Sequence, residues 1–354
     1  MKFLSVVGAR PQFVKLAPIH RAMKRHEHVI VHTGQHYDYK MSQVFFEVLN
    51  IPEPKHNLGI GSGAHGEQTA RMLSAVEDVL MKERPDVVIV YGDTNSTLAG
   101  ALAAVKMLMP VAHVEAGLRS YRRSMPEEIN RVLTDHISSI LFCPTDVASD
   151  NLRKEGITKN VHVVGDTMAQ TLLEMCPRLD RSMVERYGVR VGGYVLATVH
   201  RQENADSRKN MSEILSAMAD LGMDVVLPLH PRTVKNLNSW GMMDKALSSK
   251  NIKVVEPMDY VTFTAMEKHA AHILTDSGGV QKEAYILKVP CTTMRDETEW
   301  VETLDGGWNV LAGASKEKIV QAVLRPRPDA PQISYGDERV SERIVHILEE
   351  AFLS

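Results

Sequence analysis

Two rhythms of hydrophobic and polar residues alternate along the chain from its first residues. Short β-branched runs, KFLSVVG (2–8), HVIVH (28–32), DVVIVYG (86–92), VAHVEA (111–116), SILFCP (139–144) and VHVVG (161–165), are separated by stretches with apolar residues every three to four positions. The first rhythm predicts strands and the second amphipathic helices. Strands separated by helices form a parallel sheet covered on both faces. The pattern then restarts with YVLATVH (194–200), MDVVLPLH (223–230), IKVVEP (252–257), HILTDSG (272–278) and VPCTTM (289–294). The expected fold is therefore α/β with two Rossmann-like domains, residues 1–166 and 167–337, joined in the region 166–190. A last helical stretch, 338–354, is expected to pack back on the first domain, after the Pro-rich connector RPRPDAPQ (325–332).

Parallel sheets of this kind bind ligands beyond the carboxyl ends of their strands. The polar residues of this chain collect there: Gly8-Ala9-Arg10, Tyr91-Gly92-Asp93, Glu115, His200-Arg201, His230-Pro231-Arg232 and Asp276-Ser277-Gly278. An active site in the cleft between the two domains is the expectation that follows. The stretch TDSGGVQKEA (275–284) carries it furthest, because a strand there runs into a Ser-Gly-Gly turn that opens a helix. Unpaired backbone N–H groups and the positive end of the helix dipole meet at Ser277, Gly278 and Gly279, and an anion belongs among them. Glu283, on the same helix, is placed to accept hydrogen bonds from a pair of sugar hydroxyls. Phosphate and ribose together indicate a nucleotide.

The first strand-to-helix turn, GARPQFVKLAP (8–18), lacks both GxGxxG and GxxxxGK[ST], so neither NAD nor ATP is indicated. It offers two cations instead, Arg10 and Lys15, suited to a diphosphate, although a solvated lysine on an ordinary helix fits the same spacing. Asp93 and Glu115 end apolar strands, and Glu127 and Glu128 follow Pro126 at a predicted helix start. Capping and dipole stabilisation account for Glu128. Strand-end carboxylates in one crevice point to general acid and base chemistry. His200 ends the first strand of the second half, where it either donates to a leaving phosphate and relays a proton or serves structure.

Composition narrows the field. The 354 residues carry a formal net charge of −3, with 44% hydrophobic and 24% charged residues, which describes a soluble globular protein. That balance leaves no electrostatic footprint for nucleic acid. No apolar run is long enough to span a membrane, and a cytoplasmic location is expected. Cys143, Cys176 and Cys291 have no metal spacing and read as inert thiols, two of them buried behind ILFC and KVPC. The 15 histidines form no HExxH-like pattern, and His26-Glu27-His28 reads as a solvated loop, so no metal is expected. GIGSGAHGEQ (59–68) reads as a mobile lid or a long loop.

Taken together, GARPQFVKLAP, YGDTNST, HVEAGLRS, MPEEINR, VHRQEN, HPR, EPMDYVTF, TDSGGVQKEA and MRDETEW resemble the non-hydrolysing UDP-N-acetylglucosamine 2-epimerases, relatives of the GT-B glycosyltransferases. Each segment is weak alone, but their order and spacing over nearly the whole chain are specific. The resemblance implies that Arg10, Lys15, His200, Ser277, Gly278 and Gly279 hold the diphosphate. It likewise implies that Glu283 binds the ribose, that Phe263 with the backbone near Met258 holds the uracil, and that Asp93, Glu115 and Glu127 work on the sugar. Such enzymes are cytoplasmic homodimers acting on a UDP-sugar, without nicotinamide or metal cofactor. The implied reaction is reversible inversion at C2 of UDP-N-acetylglucosamine through loss of UDP, giving a 2-acetamidoglucal, and its re-addition.

Two departures stand out. Bacterial members generally carry an Arg after MRD where this chain has Thr298, Glu299, Trp300, Val301 and Glu302. GQHYDYKMS (34–42) and Glu299-Trp300 resemble instead the branch acting on UDP-2,3-diacetamido-2,3-dideoxyglucuronic acid, which makes Arg295 and Trp300 candidates for choosing the sugar. The segment used for allosteric substrate binding in some bacterial members is also altered around Gln35 to Met41. A retaining GT-B glycosyltransferase is a further alternative, against which the three carboxylates argue.

Overall fold

The computed structural model describes residues 1–35, 46, 49–329 and 333–352. Most of GQHYDYKMS and the end of RPRPDAPQ lie outside the described residues. The chain divides into two compact units, Met1–Glu174 with Tyr335–Ser354, and Met175–Ser334.

Seven parallel strands form the sheet of the first unit: β1 (Lys2–Val7), β2 (Glu27–His32), β3 (His56–Asn57), β4 (Val87–Tyr91), β5 (Val111–Val114), β6 (Ile140–Cys143) and β7 (Val161–Val163). Their spatial order is β3-β2-β1-β4-β5-β6-β7. Every residue of β4, VVIVY, is buried, as a strand covered on both faces requires. Among the described residues before the second unit, its helices of eight or more residues are α1 (Arg10–Ala22), α2 (His65–Glu83), α3 (Asn95–Lys106), α4 (Pro126–Ile137), α5 (Asp146–Lys154) and α6 (Thr167–Met175). Alternate strand residues Leu4, Val6, Val88 and Val90 point to one face, where they meet Val76 and Leu80 of α2 and Ala101 and Ala104 of α3. The helix α2 opens at His65, so the last four residues of GIGSGAHGEQ are helical rather than loop.

The second unit repeats the plan with β8 (Tyr194–Thr198), β9 (Asp224–Pro228), β10 (Ile252–Val255), β11 (His272–Thr275), β12 (Cys291–Thr293) and β13 (Asn309–Leu311), in the order β10-β9-β8-β11-β12-β13. Its long helices are α7 (Arg208–Asp220), α8 (Pro231–Ser239), α9 (Tyr260–Lys268), α10 (Gly278–Ile286) and α11 (Lys316–Val323). Val195, Ala197, Val225, Leu227 and Leu274 pack on Ile214, Leu215 and Met218 of α7. Their strand neighbours Tyr194, Leu196, Val226 and Ile273 turn the other way, onto Met266 of α9 and Ala284 of α10.

The last helix, α12 (Val340–Phe352), returns to the first unit. It sits against α1 and the end of β7: His26 Nε2 lies 2.7 Å from Glu349 Oε1, and Arg343 donates to the Val164 carbonyl at 2.8 Å. The Asp166 N–H donates to the Tyr335 carbonyl at 2.7 Å. The first unit also extends to Glu174, beyond the expected 166, because α6 is tied to α1 by the Thr171 hydroxyl donating to the Val14 carbonyl.

His26-Glu27-His28 is not a solvated loop. Glu27, exposed, begins β2, and His28 is half-buried, with Nε2 2.8 Å from Ser5 Oγ and Nδ1 3.0 Å from His20 Nδ1. Burial drives the His28 pKa down to about 3, so the ring stays neutral. No helix among the described residues is long and apolar enough to cross a membrane.

Candidate functional site

Strand order reverses direction at β1/β4 in the first sheet and at β8/β11 in the second. The carboxyl ends of those strands are where open α/β sheets take ligands. The turns that follow them carry Gly8-Ala9-Arg10, Gly92-Asp93, His200 and Asp276-Ser277.

In the first unit Gln12 joins two of these turns. Its side-chain oxygen accepts from Gly8 N at 2.7 Å and Ala9 N at 3.0 Å, and its amide donates to the Tyr91 carbonyl at 2.8 Å. Gly92 then turns the chain at φ +64, and a side chain there would press on Lys15 Nζ, 3.0 Å from the position of a Cβ. Lys15, expected at a diphosphate, is ion-paired with Glu115, both side chains nearly buried. Glu115 itself stands at φ +71, a left-handed conformation rare outside glycine, while its N–H donates to the Phe142 carbonyl at 3.1 Å.

Asp93 is paired with Arg131 of α4, a residue sequence reasoning passed over. Arg131 also reaches Glu128 Oε2 at 2.9 Å, three residues earlier on the helix. Glu128 is more than a cap. Its carboxylate accepts from Ser120 N and Oγ at 2.9 Å each and from Tyr121 N at 2.8 Å, anchoring the loop that leads from β5 to α4. Asn130 holds the carbonyl of Asp93 at 3.0 Å. Glu127 lies in the first turn of α4, half-buried. The structure thus brings Lys15 to Glu115 and Arg131 to Asp93, giving each strand-end carboxylate a cation. Spacing in MPEEINR, with Arg131 three and four residues past the two glutamates, is the signal that would have found it.

In the second unit a buried aspartate organises the end of β8. Asp276 accepts from His200 N at 3.1 Å, Arg201 N at 3.1 Å and Asn204 Nδ2 at 3.2 Å, and lies 3.2 Å from His200 Nδ1. Burial pushes its carboxyl up, but His200, the backbone N–H groups and Asn204 outweigh that and hold it below the usual range. The imidazole of His200 is half-exposed and oriented by that carboxylate.

The helix α10 starts at Gly278, and its N-cap residue Ser277 makes no side-chain cap. Gly278 is needed for close approach: a Cβ there would lie 1.9 Å from Glu299 Oε1. Glu299 thus lies beside the positive end of the helix, and it pairs with Arg295 Nη1 at 3.0 Å. Arg295 is buried and lies 3.7 Å from Glu297 as well. Trp300 is also buried, with Lys282 Nζ 4.1 Å from the centre of its ring.

Glu283 accepts from Tyr260 OH at 3.1 Å and adjoins Glu267, which is wholly buried. Burial and the charge of Glu283 raise the Glu267 carboxyl well above its usual range. Phe263 and Met258 are half-buried at the edge of the same apolar cluster. Burial pushes the Cys143 thiol up, and that of Cys291 up to about 12, as inert cysteines should be. Cys176 is only partly buried.

Comparison with known proteins gives the family. The chain matches the UDP-N-acetylglucosamine 2-epimerase family over residues 20–349. A UDP-N-acetylglucosamine 2-epimerase homolog of Methanococcus maripaludis is 49% identical over 354 residues, covering 98% of this chain and 99% of that one. The UDP-2,3-diacetamido-2,3-dideoxy-D-glucuronate 2-epimerase of Pseudomonas aeruginosa is 45% identical over 362 residues, covering 98% and 99%. The crystal structure of the Methanocaldococcus jannaschii UDP-GlcNAc 2-epimerase in complex with UDP-GlcNAc and UDP superimposes with a TM-score of 0.90 at 47% identity, covering 99% of this chain and 100% of that one. Two parallel-sheet α/β units, matched over nearly the full length of the chain, make it a member of the UDP-N-acetylglucosamine 2-epimerase family.

Proposed function

We propose that this protein interconverts UDP-N-acetylglucosamine and UDP-N-acetylmannosamine. The observation that carries the reading is the pair of carboxylates, Asp93 and Glu115, each held against a buried cation at the carboxyl ends of the neighbouring strands β4 and β5. The C2 proton is not beside a carbonyl, so it becomes labile only as UDP departs from C1. One carboxylate takes that proton, the C1–O bond breaks with its electron pair leaving on UDP, and a 2-acetamidoglucal remains. Return of a proton to the opposite face of C2, with re-addition of UDP at C1, completes the inversion. Two of Asp93, Glu115 and Glu127 share the two faces, or the intermediate turns before one of them.

In this reading the backbone N–H groups of Ser277, Gly278 and Gly279, with Arg10 and His200, take the charge that builds on the departing diphosphate. Glu283 holds the ribose, and Phe263 with the backbone of Met258 holds the uracil. Lys15 serves Glu115 rather than the diphosphate. Incubation with UDP-N-acetylglucosamine alone in D₂O tests the reaction by proton NMR. The expected result is UDP-N-acetylmannosamine deuterated at C2; product with its C2 proton wholly retained counts against two carboxylates, and no product counts against the reading. A homodimer in the cytoplasm belongs to the same reading and is checked by sedimentation.

The relative from Pseudomonas aeruginosa keeps a uronate substrate in view. A uronate carboxylate needs a cation of its own, and Arg295 is already matched by Glu299 at 3.0 Å. UDP-N-acetylglucosamine is therefore the expected preference in a side-by-side kcat/KM comparison. A uronate turned over about 10² times better would reverse the choice.

A further inference from the structure

Behind the first unit's carboxylates lies a buried group of charges that the reaction just described does not use. His113, on β5, is wholly buried between two acceptors: its Nε2 is 2.7 Å from the Gly92 carbonyl oxygen, and its Nδ1 is 2.7 Å from Asp135 Oδ1. A carbonyl oxygen accepts only. Asp135 is equally buried, and its second oxygen accepts from Arg119 Nη1 at 2.7 Å and Gly117 N at 3.1 Å. Burial alone would raise the Asp135 carboxyl, but His113 and Arg119 together hold it below its usual range. An ionised carboxylate also only accepts.

With an acceptor at each nitrogen, both hydrogen bonds exist only if the ring supplies both protons. The charges then balance. Arg119 grips Glu155 through Nε and Nη2 at 2.7 and 2.8 Å, so two cations, His113 and Arg119, face two anions, Asp135 and Glu155. Of the other groups nearby, the Cys143 thiol on β6 stays neutral through burial, and His136 meets Glu155 from outside at 3.1 Å. A compensated cluster of this kind can be held in a core that would reject any one of its members alone.

The cluster ends on the two turns that matter. The Gly92 carbonyl immediately precedes Asp93, and Gly92 stands at φ +64. The Gly117 N–H lies two residues after Glu115, which stands at φ +71. His113 and Asp135 therefore bolt together two left-handed turns, each presenting one of the carboxylates. We propose that His113, protonated at both ring nitrogens, is a positioning residue that fixes Asp93 relative to Glu115. This rests on the epimerase reading for its consequence, though not for its chemistry.

Two measurements test it. In wild-type protein labelled with ¹⁵N-histidine, the assigned His113 ring should show two slowly exchanging N–H signals, one at each nitrogen. A His113 ring that carries only one N–H overturns the proposal. His113→Gln satisfies one acceptor instead of two, and its kcat for UDP-N-acetylglucosamine should fall about 10- to 100-fold with KM within roughly threefold, since small misplacement of reacting groups is costly. An unchanged kcat, or a loss confined to KM, overturns it. Should His113→Gln not fold, Asp135→Asn takes its place: the amide oxygen still accepts from Nδ1, but the ring loses its counter-charge and with it the bond to Gly92, so the same fall in kcat is expected. Wild-type turnover is measured alongside, and its absence would sink the epimerase reading while leaving the NMR result to stand.

Discussion

Replacing Asp276 by Asn separates orientation of His200 from mere folding of the loop after β8. The carboxylate, itself wholly buried, receives His200 N at 3.1 Å, Arg201 N at 3.1 Å and Asn204 Nδ2 at 3.2 Å, and faces His200 Nδ1 at 3.2 Å. An amide offers one acceptor atom in place of two and turns an NH₂ group toward N–H donors. About two donors lose their partner, at roughly 1–3 kcal/mol each, so a loss of about 2–6 kcal/mol in unfolding free energy is expected. The effect on rate is distinct. Without a charged partner at Nδ1, His200 loses its orientation toward a departing diphosphate, and an oriented donor to developing charge is worth roughly 3 kcal/mol, or about 10² in kcat. The assay pairs urea unfolding with epimerisation followed by proton NMR at saturating substrate and at a temperature where the variant is folded. Destabilisation accompanied by a kcat within threefold of wild type would refute the orienting role and leave Asp276 as a loop anchor only.

Asp93→Asn, Glu115→Gln and Glu127→Gln should each lose about 10²–10⁴ in kcat while still binding UDP, as expected for groups that move protons; near-wild-type rates in all three would move the chemistry elsewhere. Stability should also fall with acidification below pH 6.5, because burial lowers the pKa of His28 and of His272 from 6.5 to about 3. Both rings are neutral in the fold and take up protons only on unfolding, so their contribution is complete above pH 6.5 and is lost progressively toward pH 3, by about 1.4 kcal/mol per pH unit for each ring. His272→Gln should flatten the dependence of urea stability on pH between 6.5 and 4; an unchanged slope would contradict the assignment.

The central strands were legible because they are continuous β-branched runs, and a parallel sheet buries such runs on both faces. The edge strands His56–Asn57 and Asn309–Leu311 were not, since two or three residues carry no periodicity. Catalytic candidates at strand ends were visible for the same topological reason: a carboxylate such as Asp93 after VVIVY has no place in the core. What remained hidden depends on convergence. Nothing in the string around Asp276 shows that Arg201 N and Asn204 Nδ2, about seventy positions away, will point at it. His28 was misread because three polar residues in a row look solvated until Ser5 and His20 are brought beside them. The left-handed backbone of Glu115 has no sequence signature at all, since such positions ordinarily call for glycine.

The return of α12 to α1 has a consequence for how the protein is made. At roughly 5–20 residues per second, the ribosome needs on the order of ten to thirty seconds to add the second unit, Met175–Ser334, before Tyr335 and α12 exist. Throughout that interval the first unit has all the strands of its sheet but neither the Tyr335 carbonyl for Asp166 nor Glu349 for His26. The unit synthesised first is thus the one finished last, and the nascent chain carries an uncovered flank of α1 that a chaperone or a second nascent chain can occupy until the closing helix arrives.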